Sequence, residues 1–163
     1  MKRFGIVGAT IGLLALVVSL IGPAWSDSRY ERTTLRLEDK GSDDEGHYID
    51  VNVGGKAFPR IGDYFVVSAD FLYTKGTDEK VGTYSGDCLL TQFDRETGPV
   101  EAECDLTFQL PDGILTAEGP LNFVQGPGAL AITGGTGKYK TAHGQIKPED
   151  TATATVFVLN IFL

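Results

Sequence analysis

From residue 34 to the C-terminus the chain alternates short extended runs with turn signals and shows no sustained helical period. This alternation limits the fold more than any other feature. Extended segments are expected at about 34–38, 48–53, 64–73, 81–93, 100–110, 114–118, 121–124, 130–133, 142–147 and 153–163. Between some of them stand Pro111-Asp112-Gly113, Gly126-Pro127-Gly128 and Gly134-Gly135-Thr136-Gly137, residues whose backbone angles suit tight turns. Several short antiparallel strands without helices close into a barrel or stack as a sandwich. A chain of 163 residues, 42% of them hydrophobic, supports one sizeable core, so residues 27–163 are expected to form a single all-β domain.

Two runs bear on the choice of architecture. Over 64–73 one face carries Phe65, Val67, Ala69, Phe71 and Tyr73 and the other Tyr64, Val66, Ser68, Asp70 and Leu72, so neither is plainly solvated. In the C-terminal "VFVLNIFL" only Asn160 is polar. A strand apolar on both faces needs cover on both. In a small barrel one side is the lumen, and a partner subunit, a membrane or a docked segment must cover the other, so an oligomer is expected; a sandwich with well-buried central strands is the alternative.

Charge and motifs exclude several functions. A net charge of −8 opposes binding to nucleic acid. The stretch "AITGGTGKYKTAHG" at 131–144 lacks the first glycine of a phosphate-binding loop, where Ile132 stands, and has Tyr139 in place of its hydroxyl residue. His47 and His143 have no metal-ligand spacing, and Asp43, Asp44 and Glu45 lack the EF-hand pattern and read as a solvated loop. No metal and no cofactor are therefore expected.

The N-terminus reads as a targeting segment. Lys2 and Arg3 precede a mostly apolar run from Phe4 to Ile21, and Ala24-Trp25-Ser26 offers small residues at the two positions a signal peptidase inspects. Residues 1–26 are expected to be a cleaved signal peptide, giving a secreted protein with no stable membrane insertion. A retained membrane anchor is the alternative.

The two cysteines predict a register. Cys88 and Cys104 are equidistant from Glu96 in the turn segment 94–98, so a symmetric hairpin sets them opposite each other, and an oxidising compartment would join them. The same register opposes Asp87 to Asp105, which requires solvation, a bulge or a cation between them. Tyr84, Leu90, Leu106 and Phe108 share the cysteine face, which therefore looks inward.

The succession "RIGDYFVVSADFLYTKG", "KVGTYSGDCLLT", "TFQLPDGILTAEGPLNF" and "LAITGGTGKYKTAHGQI", covering about 60–147, resembles the allene oxide cyclase and dirigent barrel superfamily, particularly its bacterial members. The resemblance implies a closed, eight-stranded antiparallel barrel, commonly a homotrimer. Its apolar lumen would bind a lipid-, polyketide- or phenol-derived molecule, and its glycine-rich stretch would be structural. It also implies cavity positions. Asp70 stands where the plant cyclases place a polar residue, Cys88 where they place a cysteine, and Leu121 where they follow Gly-Pro with tyrosine; Glu38 is the nearest match to their catalytic glutamate.

These residues define the expected site. Asp70, tentatively an acid or an anchor, would act on a ligand held by Tyr84, Cys88, Leu90, Leu106, Phe108 and Leu121. A carboxylate in an apolar lumen is suited to proton transfer near neutral pH. If Asp70 instead points outward, Phe65, Val67 and Phe71 form the core. Tyr73, Tyr84 and Tyr139 could add hydroxyls or simply fill the core or rim. Three functions follow: a cofactor-free cyclase or isomerase, a dirigent-like protein that directs stereochemistry, and a lipocalin-like binding barrel without turnover.

Overall fold

A computed structural model describes residues 31–41, 48–51 and 59–163, the side chains of 48–51 excepted. The expected signal segment, Asp43 to Glu45 and His47 lie outside the described residues. The strands, in chain order, are β1 (Arg32–Asp39), β2 (Tyr48–Val51), β3 (Tyr64–Thr74), β4 (Lys80–Asp94), β5 (Gly98–Leu110), β6 (Gly113–Asn122), β7 (Leu130–Gly135), β8 (His143–Asp150) and β9 (Thr155–Phe162). All neighbouring pairs are antiparallel. Eight of the strands close a barrel in the order β1-β9-β8-β7-β6-β5-β4-β3, with β1 returning to β3 through Leu37–Thr74 and Glu38–Tyr73. The short β2 lies along the first half of β3.

Register explains the two-faced β3. Val67 pairs with Gly86 and Asp70 with Tyr84, so Ser68 and Ala69 together oppose the single residue Ser85. This bulge, with Ala69 at φ 55°, reverses the alternation of the strand. Before it Phe65 and Val67 face the interior; after it Asp70 and Leu72 do, and Phe71 turns out to solvent beneath the Lys80 ammonium, 3.0 Å from its ring centre. Asp70 is thus an interior residue, only 8% exposed.

The expected strands 114–118 and 121–124 are one strand. Gly119, at φ 141°, and Pro120 continue the pairing of β6 with β5, opposite Cys104 and Glu103, and Pro120 lies beyond the last β6–β7 pair, Glu118–Ala131. A Gly-Pro pair that reads as a turn is here carried within a strand near its end.

The apolar C-terminal strand β9 carries buried residues on both faces. Phe157, Leu159 and Ile161 point into the barrel, in register with Leu37, Leu35 and Thr33. Val156 and Val158 point outward yet are buried, flanked by Glu38 and Arg36 of β1 and by Glu149 and Lys147 of β8. Arg36 and Glu149 join over them in an ion pair of 2.9 Å. Long charged residues of this kind can lay their aliphatic stems against apolar neighbours.

The glycine-rich stretch is structural. Gly137, at φ 59°, lies so close to the Asp112 carbonyl that a Cβ would collide with it, while Thr136 and Lys138 donate backbone N–H bonds to Ile114 and Asp112. The chain is clamped to the β5–β6 turn, and the following Tyr139 is seated in the core. Lys138 is half exposed, 3.9 Å from Asp112.

Candidate functional site

The interior of the barrel is best read as rows of register-matched side chains. One row runs Phe65, Cys88, Cys104, Gly119; the next Val67, Gly86, Leu106, Ala117; the next Asp70, Tyr84, Phe108, Leu115. The first two rows contain two glycines, Gly119 and Gly86, and an alanine, Ala117. Gly86 is required: a Cβ at this position would collide with the Asp105 carbonyl. The third row is full. Tyr84 stacks on Phe108 at 5.8 Å between ring centres, and Phe157 packs edge-on to both, at 4.9 and 5.3 Å.

An open cavity of about 470 Å³ lies at the barrel end that carries the β4–β5 hairpin. Phe65 and Val67 of β3, Cys88 and Leu121 form its wall, and Pro99, Phe123 and Val124 its rim, with Thr97 beside them. Phe123 and Val124 are half exposed, an arrangement that leaves apolar surface at the entrance. This volume lies in the range of small-molecule sites.

The cysteines pair as their spacing predicts. Cys88 and Cys104 are register partners with Cα atoms 4.0 Å apart and form a disulfide. Cys88 is therefore a wall residue with no thiol to react. Asp87 and Asp105 do face each other, both exposed to water, with no register shift at the pair.

Beneath the cavity the third row carries polar chemistry. The Tyr84 hydroxyl donates to Asp39 Oδ2 at 2.7 Å, and Asp70 sits opposite Tyr84 across the β3–β4 ladder. Burial, the hydrogen bond to Asp39, and the charges of Asp39 and Asp70 hold the Tyr84 hydroxyl far above the ordinary phenol range, so it stays protonated at all physiological pH. Asp39 is a functional candidate that the sequence reading missed. Its signal was the alternation Leu35-x-Leu37-x-Asp39, which puts all three on the inward face of β1.

The expected site residues thus separate. Cys88 and Leu121 line the cavity; Tyr84 and Asp70 belong to the row below it; Leu90, Leu106 and Phe108 are packed in the core and line none of the described cavities. Glu38 is turned to the β3–β4 connection, where its carboxylate accepts the Gly76 N–H at 3.0 Å. Among the described residues no three His, Cys, Asp or Glu side chains gather so as to hold a metal ion.

The strands thus form a closed antiparallel β-barrel with an apolar mouth over a polar row. Residues 38–163 match the model of the allene oxide cyclase barrel-like domain, and the chain belongs to that family. Among solved structures, a pyocyanin demethylase is similar at 25% identity and TM-score 0.63, over 78% of this chain and 99% of that one. A pterocarpan synthase dirigent protein aligns at 17% identity and TM-score 0.62, over 91% and 98%. The exo-specific intermolecular Diels-Alderase AbnU aligns at 20% identity and TM-score 0.60, over 81% and 97%. No curated protein matches the chain.

Proposed function

We propose that the protein is an exported barrel that takes a hydrophobic small molecule into its mouth cavity and acts as a cofactor-free cyclase or isomerase of the allene oxide cyclase-like type. The observation that carries this reading is the cavity of about 470 Å³, walled by Phe65, Val67 and Leu121, lying directly above the row of Asp70 and Tyr84. A flexible, mostly hydrocarbon substrate folded against such a wall gains orientation, and orientation is the larger part of what a ring closure requires. Asp70, the next inward residue of β3 below Val67, serves as acid or anchor for the substrate's oxygens. That similar barrels are named as a demethylase and a Diels-Alderase supports turnover in this one. Trimer assembly, as the family resemblance implies, is part of the proposal, and light scattering tests it.

A binding barrel without turnover is the second reading. The packing of Tyr84, Phe108 and Phe157 favours it, because these rings fill the barrel beneath the mouth and leave a shallow site. A dirigent role would use the same cavity with an external oxidant. Fluorescence titration with the neutral probe N-phenyl-1-naphthylamine tests the shared claim. Saturable binding at one site, weakened about tenfold or more by Leu121→Trp, is expected; absence of binding overturns all three.

A further inference from the structure

The cavity beside the mouth differs in character from the mouth itself. It measures about 670 Å³ and is lined by Pro59, Arg60, Ile61, Phe93 and Arg95. Phe93 lines this space and its register partner Pro99 the rim of the mouth cavity, so the two spaces meet at one residue pair of the β4–β5 hairpin.

Its two arginines come from separate elements, and both are held in place through their backbones. Arg60 opens a tight turn in which its N–H donates to Asp63 Oδ2 at 2.7 Å and its carbonyl accepts the Asp63 N–H at 2.9 Å. Asp63 is fully buried, and the turn is fastened to β4 by Gly62 N to Leu90 O and Leu90 N to Asp63 O, both 2.9 Å. This gives the "RIGD" of the sequence a physical role: it presents Arg60 and the two-thirds exposed Ile61 on a rigid loop. Arg95 stands at the tip of the hairpin. The neighbouring Asp94 spends Oδ1 on its own turn, accepting from the Glu96 and Thr97 N–H groups at 2.8 and 2.9 Å and from the Thr97 hydroxyl at 3.2 Å. Those bonds hold the Asp94 carboxyl below its usual range. Among the described residues neither guanidinium has an ion-pair partner.

We infer that Arg60 and Arg95 form an anion-recognition subsite, and that the ligand of the mouth cavity is an amphiphile with an apolar body and a carboxylate or similar anionic group. This rests on the proposal that the mouth cavity binds a hydrophobic molecule. The apolar body occupies the wall of Phe65, Val67 and Leu121 and crosses the Phe93–Pro99 pair; the anionic end reaches the two guanidinium groups, whose planar forks suit a carboxylate. A chain of net charge −8 repels anions in general, so a preference for an acid requires a local cationic site.

Decanoate and decan-1-ol share an apolar body and differ in charge, and each can be titrated against bound N-phenyl-1-naphthylamine at low salt. Decanoate is expected to displace the probe about tenfold more effectively than the alcohol. Arg60→Gln and Arg95→Gln should each cut that preference to about threefold or less while leaving decan-1-ol unchanged, and added salt should reduce it in the parent protein. Equal displacement by the two compounds overturns the anion subsite and leaves the mouth cavity standing. Failure of the probe itself to bind overturns both. Retention of the full preference in both variants places the anion elsewhere and contradicts the assignment.

Discussion

Asp70 stands opposite Tyr84 only because Ser68 and Ala69 together face Ser85 across the β3–β4 ladder. Without that extra residue Phe71 would turn inward and Asp70 would face water. Ala69 adopts φ 55°, a region that costs an L-residue about 1–2 kcal/mol and strongly disfavours a branched side chain. Ala69→Gly is therefore expected to be neutral or to stabilise by up to about 1 kcal/mol, and Ala69→Val to destabilise by about 1 kcal/mol or more. Urea unfolding of the two variants checks the order.

The Tyr84 hydroxyl gives a pH prediction. Its folded-state pKa is raised by burial first and by Asp39 second, so the folded form holds its proton where the unfolded chain releases it. The stabilisation is present in full below the unfolded pKa of about 10 and declines as pH rises above it. Tyr84→Phe should lose about 1 kcal/mol at neutral pH, with the Asp39 hydrogen bond, and should show a shallower fall in stability above about pH 10 than the parent. Denaturant midpoints measured across that range for both proteins decide this, because titrating lysines affect the two alike.

Joining Cys88 to Cys104 closes a short loop, and its reduction is expected to lower stability by about 3 kcal/mol. Peptide mapping without reduction should recover the linked pair. Labelling of two free thiols in the native protein would contradict it.

Gly86 is expected to tolerate no side chain, because a Cβ there meets the Asp105 carbonyl and the Leu106 backbone. Gly86→Ala should destabilise by about 2 kcal/mol or more, and Gly98→Ala, at an exposed turn with open space but a positive φ, by about 1 kcal/mol. Thermal unfolding of both variants tests the contrast.

These positions also show what could be read from the sequence. The cystine register was legible because two cysteines centred on a turn leave one simple pairing, and the barrel because successive turn signals and family motifs agree. The direction of Asp70 was not, since the bulge is made by Ser68 and Ala69 and carries no glycine to mark it. The continuous β6 was hidden because Gly119-Pro120 is turn chemistry placed inside a strand. Asp39 followed from alternation in β1 but lies outside the family motifs. The cavity draws its wall from β3, β4 and the end of β6, whose side chains are brought together only once every register is known.

The central claim is that the mouth cavity, and not the packed middle of the barrel, holds the ligand. Methyl NMR of the protein titrated with decan-1-ol tests it most directly. The account predicts saturable shifts at Val67, Leu121 and Val124, with Leu130, Leu159 and Ile146 unmoved in the core. Shifts confined to the core methyls, or none at the three mouth residues at saturating probe, would contradict it.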